Sequence, residues 1–389
     1  MDIETFANPP ADCRPQTRWW WLGNVLTPEE ISWQLREMHA QGIRGVEQLS
    51  FEPEYEKGNI AYSSDEFFAR LKHTITEAHT LDMTVSVNFG GPGWIWGGDW
   101  VPEDERTQCM LSSSFIVNGP ARIDQALSKD ATQNPRDIPR SYPKIEPEDK
   151  LIAVVVGKVV DGVIDAESLR DVSEQVHDRQ ITWDAPEGTW RVMAFWSTNP
   201  ESSNAVNHID KSAMTRYVET LGGKFTAALG EPLGASIESL FGDSFEVPVH
   251  RNGMYWADRV PEEFRARKGY NLVPNLPALW WDIGVTTPKV RYDVNDVLHQ
   301  MGMEAFYDTF GAWCKAQGVK TRVQPYGFVT DVLEGARDSD IPEMEITAGE
   351  KDAVPWFDTR VGPREYVASG AHIYGRNIVS VEADTYLHW

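Results

Sequence analysis

Apolar and polar residues recur in two rhythms over the first hundred positions. Arg18 to Leu22 (RWWWL) reads as a strand. Thr27, Pro28 and Glu30 then read as a helix start: a capping hydroxyl, a proline at the first helical position and a glutamate that closes a capping box. Ile31, Leu35 and Met38 follow at helical spacing, and Gly42 ends the segment. Ile43 to Leu49 (IRGVEQL) is a second strand. Ser63 and Glu66 form a second capping box ahead of Phe67, Leu71, Ile75 and Ala78. Met83 to Phe89 (MTVSVNF) is a third strand, running into the loop GGPGWIWGGDW from Gly90 to Trp100. This order predicts parallel strands with right-handed helical crossovers. A barrel and an open doubly wound sheet both satisfy it. No GxGxxG stands at a strand–helix turn, which weighs against dinucleotide binding.

The rhythm changes between about Ser113 and Pro200. Short β-branched runs (SSSFIVN, KLIAVVVGKVVDG, GTWRVMAFW) are separated by Pro, Gly and Asp clusters, the pattern of a small all-β module inserted in the barrel. Helix and strand then alternate again: helices at 211–228, 261–268, 293–316 and 363–374, and strands at 235–242, 319–325 and 377–383. The expected organisation is a first barrel part at 1–112, a β-rich module at 113–200 and a continuation of the barrel at 201–389. The fold class is α/β, a TIM-like (β/α)8-type barrel. Six barrel strands are counted where a closed barrel needs eight, so the barrel is expected to be incomplete at the C-terminus, as in a piece of a longer protein.

Composition narrows the partners. The 389 residues hold 36 Lys plus Arg against 59 Asp plus Glu, a net charge of −23 that repels phosphate backbones and anionic bilayers. No apolar run is long enough to span a membrane. The first fifteen residues carry neither a basic nor an apolar leader region. Cys13, Cys109 and Cys314 have no metal or disulfide spacing. Sixteen Trp outnumber twelve Tyr. Core packing accounts for such an excess, and so does stacking on the apolar face of a pyranose.

In a parallel barrel the reacting groups stand at the C-terminal strand ends. Those ends offer Trp20, Trp21 and Asn24, then Glu47 and Gln48, then Asn88, then Asp243 and Glu246, then Gln324 and Tyr326, then Glu382 and Asp384. There is no GxSxG elbow, HExxH or CxxC. Carboxyl pairs with aromatics suit glycosidic cleavage, which needs one acid for the leaving oxygen and a second carboxylate for water or the anomeric carbon. Trp94 and Trp96 in the Gly-rich loop read as a sugar-stacking lid or as a plug of the barrel rim. Glu343 and Glu345, in the IPEME segment taken as a loop, are surface charges or the hard oxygen ligands of a calcium ion.

The segments RPQTRWWWLGN, TPEEISWQLREMHAQGIRGVE, NFGGPGWIWGGDWV, GDSFEV, EEFRARKGYNLVPNLPAL, KTRVQPYG, DIPEMEI and SGAHIYGRNIVSVEADT occur in an order that resembles the family 106 glycoside hydrolases, the α-L-rhamnosidases. The resemblance runs from about Arg14 to Trp389. It implies a barrel glycosidase that inverts the anomeric centre with two glutamates, here Glu246 and Glu382, and that uses calcium, here at Glu345 or Glu343. It also implies sugar contacts at Asn88, Gln324, Tyr326 and His372, added to Trp20, Trp21, Trp94, Trp96 and Asp243 from the strand ends. It further implies export and additional β domains. Because Glu382 follows an apolar run, desolvation favours it as the acid. The rival readings are a non-catalytic carbohydrate-binding piece, and a glycosidase or lyase acting on another deoxysugar or a uronic acid.

Overall fold

The computed structural model describes residues 3–7, 9–10, 13–51, 58–93, 96–132, 144–199, 204–245, 254–327, 329–347 and 363–385. The chain divides into two compact units. One comprises Met1–Val101, Lys211–Glu246 and Met303–Trp389; the other comprises Pro102–Asp210 and Val247–Gly302. The second unit is wider than the 113–200 stretch expected, because it also takes in the segments 102–112, 201–210 and 247–302.

The first unit is built on seven strands: β1 (Gln16–Leu22), β2 (Gly45–Phe51), β3 (Thr84–Asn88), β4 (Ser239–Gly242), β5 (Lys320–Val323), β6 (Ile341–Thr347) and β7 (Ser380–Thr385). Each pairs in parallel with the next along the chain. The helices that pack on it or follow its strands are α1 (Pro28–Ala40), α2 (Asp65–Thr80), α3 (Lys211–Leu229), α4 (Asp308–Ala316), α5 (Val332–Arg337) and α6 (Pro363–Ile373), and a short helix at Ile3–Ala7 precedes them. Seven flat strands about 4.8 Å apart would put β1 roughly 29 Å from β7. Instead Arg18 on β1 meets Glu343 on β6 at 3.0 Å and pairs with Glu382 on β7. The sheet is therefore curled into a half-barrel. Among the described residues no pairing joins β1 to β7, so the closed barrel is not what these strands form.

Strand alternation sorts the side chains. On the convex face Trp19 donates to Gln34 of α1 at 2.8 Å, Trp21 packs edge-on against Phe67 of α2, and Phe89 packs against Phe225 of α3 and Phe310 of α4. On the concave face stand Arg18, Glu47, Ser86, Arg322, Gln324, Glu343 and Glu382, joined by side-chain hydrogen bonds and ion pairs. The sheet thus gives its apolar side to the helices and keeps a polar hollow.

Three expectations change. The IPEME segment is strand β6, not a loop. Its alternation places Glu343 and Glu345 on one face and Met344 on the other, where Met344 packs with Val367 of α6. The second helix is capped by Ser64, whose side chain accepts from Phe67 N at 3.2 Å; Ser63 sits at φ 59 and the box with Glu66 is not made. The helix expected over 293–316 is three consecutive segments: an α-helix at Thr287–Gly302, a π-helical stretch at Met303–Tyr307 and α4.

The second unit is an antiparallel sheet. The long strands Gln108–Ala126 and Gln180–Thr198 pair over their length, and Lys150–Val160 adds to the second of them. Asp161 and Gly162, at φ 50 and 83, make the tight reversal into Val163–Ile164 that Asp-Gly favours. Ala153 to Val156 and Val192 to Trp196 are continuously buried. Phe195 packs against Trp280 and Trp281 on one side.

Candidate active site

The hollow of the half-barrel is organised by two arginines. From β1, Arg18 donates through Nε to Glu47 of β2 at 2.7 Å and through Nη2 to Glu343 of β6 at 3.0 Å, and its Nη1 pairs with Glu382 of β7. From β5, Arg322 reaches the other oxygen of Glu47 at 2.7 Å and the other oxygen of Glu343 at 2.5 Å. Arg18, Glu47, Arg322 and Glu343 therefore close a ring of alternating charge. Both guanidiniums lie over the Phe241 ring of β4, at 4.6 and 5.8 Å from its centre.

The two glutamates of the ring differ. Burial lifts Glu47 above the ordinary carboxylate range against the pull of Arg322 and Arg18. Burial also opposes the ionisation of Glu343. There Arg322 and Arg18, with hydrogen bonds from Ser380 and Gln324, prevail and hold it below that range.

Above the ring sit the strand-end acids. Glu382 receives Arg18 on one oxygen and the Gln324 amide on the other at 2.6 Å. Both contacts come from donors, one of them charged. Gln324 is held in turn: its amide nitrogen also donates to Glu343 at 3.0 Å, and its oxygen accepts from Tyr326 at 2.6 Å and from the Ser244 backbone at 3.2 Å. Asp243 ends β4 beside this group. Burial raises it well above the carboxylate range. Arg18 opposes that rise and the Glu382 charge adds to it. The two acids thus stand in opposite surroundings, one fed by donors and one desolvated beside a like charge.

The structure brings Asp243, Gln324, Tyr326, Glu343 and Glu382 together, and Tyr326 contacts Glu345 at 3.4 Å. Other expected contacts fall elsewhere. Trp20 points into the hollow, 41% exposed and edge-on to Phe51, but Trp21 is on the opposite face and fully buried. Trp96 is 1% exposed, clasped by Phe306 and Phe310 behind the sheet; a side chain at Gly242 would meet its ring at 2.6 Å. Trp96 is therefore a plug, with no face open to a sugar. Asn88 is buried and uses both amide hydrogens on Gly91 O and Gly93 O, shaping the glycine loop. His372 is exposed in the last turn of α6. Glu246 and Trp94 lie outside the described residues.

Sequence reasoning missed Arg18, Arg322 and Ser380. The available signal was a charged residue in mid-strand at an inward position, with opposite charge at inward positions of neighbouring strands. Glu343 does not fit calcium. Its oxygens are filled by two guanidiniums, Ser380 and Gln324, and two cations beside it repel a third. Among the described residues no three His, Cys, Asp or Glu side chains gather to hold a metal.

Fold and site define an α/β protein built on a curled parallel half-barrel, with acids in unlike environments at its C-terminal strand ends. Comparison supplies the family. The chain belongs to glycoside hydrolase family 106, the α-L-rhamnosidases, whose sequence profile matches residues 7–140 and 142–388. A protein of Formosa agariphila named "Putative beta-glucuronidase" is 23% identical over 98% of this chain and 35% of its own length. The solved rhamnosidase from Novosphingobium sp. PP1Y shares the fold at a TM-score of 0.66 and 17% identity, over 97% of this chain and 52% of that one. The chain thus spans about a third of the one and about half of the other.

Proposed function

We propose that this chain is the catalytic part of a glycoside hydrolase that removes terminal α-L-rhamnosyl residues with inversion. Glu382 is the base and Asp243 the acid. The observation that carries the reading is the contrast between these two carboxyls: donors converge on Glu382, while Asp243 ends its strand buried beside the charge of Glu382, which raises it well above the carboxylate range. Asp243 gives its proton to the departing glycosidic oxygen, and Glu382 takes one from the water that attacks the anomeric carbon. This reverses the assignment that the apolar run before Glu382 suggested. Glu246, three positions beyond Asp243, is the rival acid.

Charge favours a neutral deoxysugar over a uronic acid. Arg18 and Arg322 share the hollow with the carboxyls of Glu47, Asp243, Glu343 and Glu382, with Glu345 beyond them against Tyr326, and both guanidiniums are already paired. A glucuronide would bring a further negative charge to a hollow that, among the described residues, offers it no uncommitted cation. Trp20 and Phe51 supply an apolar edge for a pyranose face or methyl group.

The test is hydrolysis of 4-nitrophenyl and alkyl α-L-rhamnosides, with the first-formed anomer read by NMR. β-L-Rhamnose should appear first. Asp243→Asn should lose far more on the alkyl substrate, whose leaving group needs the proton, while Glu382→Gln should lose about 10²- to 10⁴-fold on both. If Glu246→Gln shows the leaving-group signature and Asp243→Asn does not, Glu246 is the acid. Binding of rhamnose without any hydrolysis would leave a carbohydrate-binding role in its place.

A further inference from the structure

The closed ring Arg18–Glu47–Arg322–Glu343 is the largest arrangement in the hollow that the hydrolytic steps do not use. Its two cations and two anions balance, and each glutamate bridges both arginines with separate oxygens. Such a buried ring adds little to stability relative to apolar residues of the same volume, so its presence calls for another purpose. Arg18 Nη1 points out of the ring and meets Glu382. Gln324 adds a second tie, joining Glu343 of the ring to Glu382. Ser380, two positions before Glu382 on the same strand, donates to Glu343 at 2.6 Å and accepts from Arg322 at 3.1 Å. The ring is thus fastened both to the Glu382 side chain and to the strand that carries it.

We infer that the Arg18–Glu47–Arg322–Glu343 ring is a fixture that sets the position and charge of Glu382, with Arg18 as its positioning residue. The inference rests on the reading of Glu382 as the base, but its geometry does not depend on the sugar. Arg18 is held on three sides, by Glu47, Glu343 and the Phe241 face, so its remaining nitrogen has one direction in which to point. The members of the ring act on Glu382 with opposite signs. Removing Arg18 takes away a positive charge next to Glu382. Removing the charge of Glu47 leaves Arg18 less neutralised and makes the surroundings of Glu382 more positive.

The test follows the titration of Glu382 itself, by ¹³C NMR of protein labelled at glutamate side-chain carboxyls, with the signal assigned by its loss in Glu382→Gln. Arg18→Met should raise its midpoint, because an opposite charge at contact distance is removed. Glu47→Gln should lower it. In turnover of an aryl rhamnoside the acid limb of kcat/KM should move up in Arg18→Met and down in Glu47→Gln. Arg18→Lys, which keeps the charge but not the fork, should leave the limb nearer its original place while kcat falls at least tenfold with KM within about threefold. Should Arg18→Met fail to fold, the downward shift in Glu47→Gln and the fall in kcat without a shifted limb in Arg18→Lys still test the inference. Midpoints that stay put, or that move the same way in Arg18→Met and Glu47→Gln, overturn the inference whether or not sugar is cleaved. Midpoints that move as stated in a protein that cleaves no glycoside sustain the fixture and overturn the hydrolase reading instead.

Discussion

The two units have interiors of opposite character. In the antiparallel unit, Ala153 to Val156 and Val192 to Trp196 bury both faces of the central strands in apolar contact. In the parallel unit the convex face is equally apolar, but the concave face buries Glu47, Glu343 and Gln324. A parallel sheet with helices on one side could fill its hollow with branched aliphatics, as closed barrels do. Here charges fill it, and charges contribute less than hydrocarbon to stability. The difference is one of content: one interior is closed by hydrocarbon, and the other buries charge beside the strand-end acids proposed for catalysis.

The strongest way to break that contrast is to replace the whole ring with hydrocarbon. Arg18→Met, Glu47→Leu, Arg322→Met and Glu343→Leu together should leave urea stability unchanged or raise it by about 1–4 kcal/mol. Rhamnoside turnover should fall by about a thousandfold or more. A marked loss of stability would mean that the ring is structural after all. Next in size, Phe195→Ala in the antiparallel unit should cost about 3–5 kcal/mol in the same assay without a specific effect on the kcat pH profile.

A smaller effect comes from Asp243. Its raised folded pKa means that its contribution to stability is complete below its unfolded value and is lost as pH rises through the folded one. Asp243→Asn should therefore be more stable than the parent protein at pH 8, with the gap closing below about pH 4. A gap that widened in acid would contradict the raised value. Glu343 has the opposite sign: its lowered value supplies stability above the unfolded pKa that fades as pH falls through the folded one. Glu343→Gln should flatten the acid side of the stability curve. The smallest effect concerns thiols. Cys13 is exposed, whereas burial pushes Cys109 of the antiparallel unit up to about 12 and also raises Cys314 of the parallel unit. At pH 8 iodoacetamide should label Cys13 alone, and in rising urea Cys314 should react before Cys109.

Much of the half-barrel was legible because its convex side is apolar and its helices carry ordinary caps. Thr27 and Glu30 make the expected capping box. Strand β6 was hidden because proline and two glutamates in a row of seven read as a loop. Its alternation was regular, but it ran polar inward. The strand-end rule put both Asp243 and Glu382 on the list of candidates, but it was Glu246 that was expected beside Glu382 as the second acid, with Asp243 as a sugar contact. The same rule overreached at Trp21 because it counted residues at an end without asking which face each occupies. Trp96 was misread because nothing local distinguishes an indole above a sheet from one wedged behind it. That distinction lies with Gly242, far away in sequence.

The ring also constrains how the protein is made. Arg18 and Glu343 are 325 residues apart, and Arg322 must arrive as well before either glutamate is bridged. During synthesis at about 5–20 residues per second, β1 and β2 would wait on the order of 15–60 s for their counter-charges to leave the ribosome. The early strands therefore have reason to stay loosely associated until late in translation, and a nascent chain stalled before β5 should remain protease-sensitive through its first hundred residues.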